Sequence, residues 1–200
     1  MNGISFHNVV ITRRNLPHWK AGGVLYWITF RLADSIPYDK LFAWQEAYAV
    51  WATLHPKPWD DTTWNEYHER FGDRLEKWLD AGMGSRALAR SDVREEVRKC
   101  LLYFDGDRFD LYGAVIMPTH VHCLMKPFGG YQLSKLMKSI KGLSARRANE
   151  LLNKSGAFWQ EESYDRIVRN EAQYNHFMKY VFENPLKAKL QESEYWLYVR

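Results

Sequence analysis

Two imidazoles, a phenol and an amide are the side chains of this sequence whose spacing suits chemistry. His120-Val121-His122 sits in a strand-like segment, where successive side chains point to opposite faces. His120 and His122 then share a face while Val121 turns into the core, and two adjacent imidazoles can hold a divalent cation. A bare His-x-His is also found as two ordinary core or surface histidines. The apolar run Val115-Ile116-Met117 ahead of it places the pair at the end of a buried strand. Tyr180 and Asn184 are four residues apart in a helical segment, so they share a helical face. A tyrosine hydroxyl is a poor nucleophile while protonated, with a pKa of about 10. A cation beside it would help, and would also polarise a phosphate under attack. The Asn184 carbonyl oxygen can complete the shell of such an ion, with His176, one turn earlier, as a competing ligand or proton acceptor. The structural alternatives are a core aromatic with its hydroxyl at the surface for Tyr180, and a helix C-terminal cap for Asn184 ahead of Pro185.

The elements that must position these residues follow from periodicity. Val24 to Leu32 is dense in β-branched and aromatic residues and reads as a buried strand. Helical spacing then predicts helices over about 39–54, 60–80 and 91–103, the second with Trp64, Tyr67, Phe71, Leu75, Trp78 and Leu79 on one stripe. Arg108–Met117 and Val121–Met125 read as an antiparallel pair of strands joined at Pro118-Thr119. A helix follows with Leu133, Leu136, Met137, Ile140, Leu143, Leu151 and Leu152 on one side, then a strand over Tyr164–Val168. The last helix runs from Glu171 to about Asn184, where Pro185 is expected to stop it. The expected fold is α+β: a ferredoxin-like, RRM-like antiparallel sheet in one domain over residues 1–200. It carries a helical insertion at about 38–105 after the first strand, and a C-terminal helix bearing Tyr180.

Composition narrows the class. Hydrophobic residues make up 46% and charged residues 26% of 200 positions, which suits a folded domain with a real core. Cys100 and Cys123 stand alone, which argues against a disulfide framework or a Cys-rich zinc site. No signal peptide and no apolar stretch of roughly 20 residues is found, so a cytoplasmic protein with no membrane partner is expected. Residues 1–110 hold 15 Lys and Arg against 16 Asp and Glu, whereas residues 111–200 hold 13 against 8. A phosphate-binding surface is therefore sought in the second half. Lys135, Lys138 and Arg146 lie opposite the apolar stripe of their helix, and Arg166 and Arg169 flank the fourth strand. These can track a nucleic-acid backbone, with Trp159 or Tyr164 as stacking faces; a solvated basic face is the alternative.

Several segments in order along the chain resemble one family. Val115-Ile-Met-Pro-Thr-His-Val-His122 is similar to the His-hydrophobic-His segment of single-tyrosine transposases, and Tyr180-Val-Phe-Glu-Asn-Pro-Leu-Lys-Ala188 to the nucleophile helix of their REP-associated group. The resemblance extends to Arg14-Asn-Leu-Pro-His-Trp19, Tyr26–Asp34, Trp78–Gly82, Trp159-Gln160 and Asp165-Arg166. It implies Mg²⁺ or Mn²⁺ on His120, His122 and Asn184, and Tyr180 attacking DNA to leave a 5′-phosphotyrosine and a free 3′-OH. It implies hairpin-forming, single-stranded DNA of repetitive extragenic palindromes as partner, with Arg14 among the DNA-binding residues, and a monomer rather than a dimer at the bacterial nucleoid. A domesticated, non-catalytic hairpin-binding regulator and a hydrolytic metal phosphoesterase are the rival readings. Thr119 stands where the family usually has Asn, and Lys189 where Gly is common.

Overall fold

The computed structural model describes residues 10–13, 17–20, 23–56 and 59–200. Strands β1 (Val10–Arg13) and β2 (Pro17–Lys20) pair with each other. Strands β3 (Tyr26–Arg31), β4 (Phe109–Ile116), β5 (His120–Pro127), β6 (Tyr164–Ile167) and β7 (Trp196–Val199) form one open antiparallel sheet in the order β6-β3-β5-β4-β7. Without β7, this is the expected ferredoxin-like order. β7 is an added edge strand that four terminal residues did not announce in the sequence. It is held by its ladder to β4, from Gly113↔Val199 to Ile116↔Trp196.

Both faces of the sheet are covered, which is why β3 to β5 read as continuous apolar runs instead of alternating ones. On one face Ile28, Phe30, Ala114, Ile116, Val121 and Cys123 pack under α4 (Ser91–Leu102) and α5 (Leu133–Leu152). On the other, Leu25, Trp27, Val115 and Leu124 pack under Phe177 and Val181 of α6 (Glu171–Lys187). α4 thus takes the crossover position between β3 and β4, leaving α1 (Tyr38–Leu54), α2 (Asp61–Tyr67) and α3 (Asp73–Asp80) as the added part. These three helices share an aromatic core of Trp44, Trp51, Trp59, Trp64, Tyr67 and Phe71, joined by Tyr164 of β6. No helix among the described residues is long and apolar enough to cross a membrane.

Two helices differ from expectation. The segment expected as one helix over 60–80 is broken by a π-helical turn at His68–Gly72. His68, at its start, accepts a 2.9 Å hydrogen bond from Arg166 of β6; π turns inside helices often mark such local demands. The last helix does not stop at Pro185 but continues to Lys187. Pro185 lies in the final turn, and the helix is closed beyond it. Leu190 N–H donates to the Pro185 carbonyl and Lys189 N–H to Leu186, both at 3.0 Å, with Lys189 at φ 53°. That double closure with a left-handed residue satisfies the last carbonyls, so Pro185 is tolerated and Asn184 is an interior residue rather than a cap.

Candidate active site

The register of the sheet builds the site. In β3 and β5, Thr29 lies opposite His122 and Arg31 opposite His120. The alternation that sends Val121 into the α5 side sends both histidines to the α6 side. Their rings are 4.6 Å apart, and they are 1% and 0% exposed. Each Nδ1 is held by a threonine: His120 by Thr119 Oγ1 at 2.9 Å, His122 by Thr29 Oγ1 at 2.8 Å. Thr119 also donates to the Leu79 carbonyl at 3.2 Å. A hydroxyl has one proton, so with that proton on Leu79 it accepts from His120 Nδ1–H. His120 is then the Nδ1–H tautomer, and its Nε2 carries the free lone pair. Burial holds His120 down to about 3 and His122 well below the usual imidazole range, so both are neutral at pH 7.

Helix α6 brings the phenol to this pair. The Tyr180 ring meets His122 edge-on at 5.1 Å and Trp27 at 5.5 Å. Trp27 is itself stacked between His122 and Phe177, at 5.0 and 4.7 Å, which fixes the distance of α6 from the sheet. Asn184, one turn on, is 1% exposed and lies beside the Tyr180 hydroxyl.

The donor set fits a cation. The Nε2 atoms of His120 and His122 and both amide atoms of Asn184 are buried without a hydrogen-bond partner. Such groups are few in native proteins, and each calls for an explanation such as water or an ion. Threonines on both Nδ1 atoms are the outer partners that orient ligating imidazoles. Among the described residues no three His, Cys, Asp or Glu side chains converge, so the set rests on two imidazoles and an amide.

Glu76 and Asp80 of α3 were not singled out in the sequence, where they look like the solvated side of an amphipathic helix. Both act on the Tyr180 hydroxyl. Burial, aided by the charges of Asp80 and Asp73, lifts Glu76 to about 7 against the opposing pull of its contact with Tyr180. Burial lifts Asp80 to about 6. Burial and then these two carboxylates push Tyr180 above the usual phenol range, so it is a neutral phenol here.

The expected DNA-binding residues divide between the two faces. Lys135, Lys138 and Arg146 are exposed on α5, which covers the sheet face opposite the histidines, so they do not adjoin the site. Arg166 is on the histidine side, opposite Trp27 in the register, and Arg169 is exposed just after β6. His176 is exposed, one turn before Tyr180, and lines the same cavity as Tyr180. Trp159 is a correction: it is 6% exposed, packs edge-on against Phe30, and donates its indole N–H to Ser144. It belongs to the core and offers no open face for a base. Arg14 lies outside the described residues.

Comparison with known proteins bears on the family and the fold. The family model described as "Transposase IS200 like" matches residues 85–184. A REP-associated tyrosine transposase of Escherichia coli (strain K12) is 29% identical over 93 residues, which are 46% of this chain and 53% of that protein. The chain thus spans about half the length of this curated relative. The solved structure of a REP-associated tyrosine transposase bound to a REP hairpin matches at a TM-score of 0.50 and 17% identity, over 85% of this chain and 71% of that one. It shows the same fold. The family match takes in half of the chain, with both histidines, Tyr180 and Asn184 inside it, and the protein belongs to the IS200-like transposase family.

Proposed function

We propose that the protein is a metal-dependent endonuclease and strand transferase for single-stranded, hairpin-forming DNA of the repetitive extragenic palindrome kind. The observation that carries this reading is the pair of buried, unpartnered Nε2 atoms of His120 and His122 beside the Tyr180 phenol. The names of the relatives support the substrate class. His120 and His122 through Nε2, and Asn184 through its amide oxygen, would hold Mg²⁺ or Mn²⁺. When bound, that ion supplies Lewis-acid polarisation of the phosphate and favours the phenolate.

The chain's own residues do the rest. Tyr180 Oη gives up its proton and attacks phosphorus, the bond from phosphorus to the 3′ oxygen breaks, and that oxygen takes up one proton, so that a 5′-phosphotyrosine and a free 3′-OH result. Glu76 lies against the phenol as acceptor for its proton, with a pKa near the working pH as a general base requires. Thr119 and Thr29 hold the imidazoles, and Trp27 spaces them from Tyr180. The reading is of a monomer, acting on DNA in a bacterial cytoplasm, and within one chain the helix that carries Tyr180 already brings its ring to His122. Incubation of a labelled hairpin oligonucleotide with the protein and Mg²⁺ or Mn²⁺ tests this on a denaturing gel. A protein–DNA adduct is expected, and it should vanish in chelator. Hairpin binding without cutting would leave only a binding protein.

A further inference from the structure

Between α1–α3 and the histidine side of the sheet lies a cavity of about 650 Å³ with Tyr180 in its lining. Its size falls in the usual range for a ligand site. Its floor is the sheet, with Tyr164 and Arg166 of β6, and its roof is α1, with Tyr48 and Ala49. Tyr48, one face of which stacks on Trp44, and Tyr164 are half-buried, and both line the cavity. The wall made by the π turn and α3 carries Glu69, Asp73 and Glu76. Glu162 also lines the cavity, set against the guanidiniums of Arg31 and Arg166, so the lining as a whole is not basic and a neutral, flat, aromatic group meets no charge penalty there.

We propose that this cavity receives one unpaired base, that of a nucleotide next to the phosphate attacked by Tyr180. The inference rests on the strand-transfer reading and names the part of the substrate that the added helices hold. A phosphate at the phenol has a nucleotide on either side of it, within a few ångströms, and Tyr180 lines the cavity. Stacking on aromatic side chains holds an unpaired base whatever its identity. The attacked phosphate stays at the phenol, and the neutral base, which meets no charge penalty, enters the cavity beside it.

The test uses a hairpin oligonucleotide with a short unpaired flank, selected for cutting by the wild-type protein from a pool with randomised flanks. Binding is then measured with Tyr180→Phe protein, on oligonucleotides carrying one abasic site at each unpaired position in turn. Loss of the base next to the cut phosphate should weaken binding about tenfold, within what base–aromatic stacking supplies. Ala49 is exposed on α1, so Ala49→Trp projects an indole into the cavity without disturbing the core. Added to Tyr180→Phe, it should erase that penalty while leaving penalties at distant positions unchanged. 2-Aminopurine at the same position should change its fluorescence on binding in the protein without Ala49→Trp, which needs no folding of that variant. A flat abasic scan with normal cutting overturns the pocket alone. A penalty untouched by Ala49→Trp, or unchanged fluorescence, also overturns it. No cutting and no binding anywhere in the pool defeats the strand-transfer reading and the pocket together.

Discussion

Thr119 holds His120: its hydroxyl accepts a 2.9 Å hydrogen bond from Nδ1–H and donates one of 3.2 Å to the Leu79 carbonyl. One short side chain thereby sets the histidine tautomer and ties the end of α3 to the start of β5. Thr119→Val keeps the shape and removes both bonds. Loss of an outer partner of this kind typically lowers metal affinity by about 10–100-fold, and Thr119→Ser should recover most of it. A Mn²⁺ titration reads this directly; equal affinity for all three proteins would mean that Thr119 does not orient a ligand.

The three proposed ligands should rank by chemistry. His120→Ala and His122→Ala each remove an imidazole and should nearly abolish cutting. Asn184→Ala should cost less, because water can stand in for a neutral amide oxygen. Cutting rates of the three variants across a range of Mg²⁺ concentrations settle the order. An Asn184→Ala loss as deep as the histidine losses would reverse it, and full activity in chelator would remove the metal from the account.

Much of the site was legible before the fold, and the reasons are specific. His120 and His122 alternate with a core valine, and Tyr180 and Asn184 lie one helical turn apart, so local periodicity alone puts each pair on a face. Glu76 and Asp80 were not legible, because their meaning depends on α3 folding back over α6, a contact between residues about a hundred positions apart. Trp159 went wrong for a related reason: a tryptophan's type gives no sign of whether its indole N–H finds a buried partner, here Ser144. The basic stripe of α5 was visible as a stripe, but which sheet face it covers is a property of topology. Pro185 misled because a proline's bias on its predecessor was outweighed by the closure at Lys189 and Leu190.

The Glu76 carboxyl predicts a pH dependence of stability. It rises from an ordinary 4.5 to about 7 on folding, so the folded state favours the protonated form. The stability it contributes is full below pH 4.5 and is lost as pH rises through about 7. Glu76→Gln keeps the neutral form at every pH. Thermal unfolding of the metal-free variant should match wild type near pH 4.5 and show a higher midpoint above pH 7. A difference of the same size at both ends would contradict this origin.

Two backbone positions should respond in opposite directions. Gly84 has φ 83°, and a Cβ there would overlap the Asp34 carbonyl, so Gly84→Ala should destabilise by about 3 kcal/mol or more. Lys189 holds a left-handed φ of 53° with a full side chain, and Lys189→Gly should stabilise by about 0.5–1 kcal/mol. Urea unfolding midpoints measure both, and a Lys189→Gly loss would mean that its side chain contributes more than its strain costs.

The most direct measurement is the fate of a labelled hairpin with Tyr180→Phe protein. The change removes one oxygen and leaves the ring against His122 and Trp27, so folding and hairpin affinity should hardly change. The strand-transfer account predicts that wild-type protein with Mg²⁺ or Mn²⁺ gives cut DNA and a covalent adduct on a denaturing gel, and that the Phe variant gives neither. Cutting that persists in the Phe variant, with no adduct in the wild type, would show that water attacks in place of the phenol and would contradict the account.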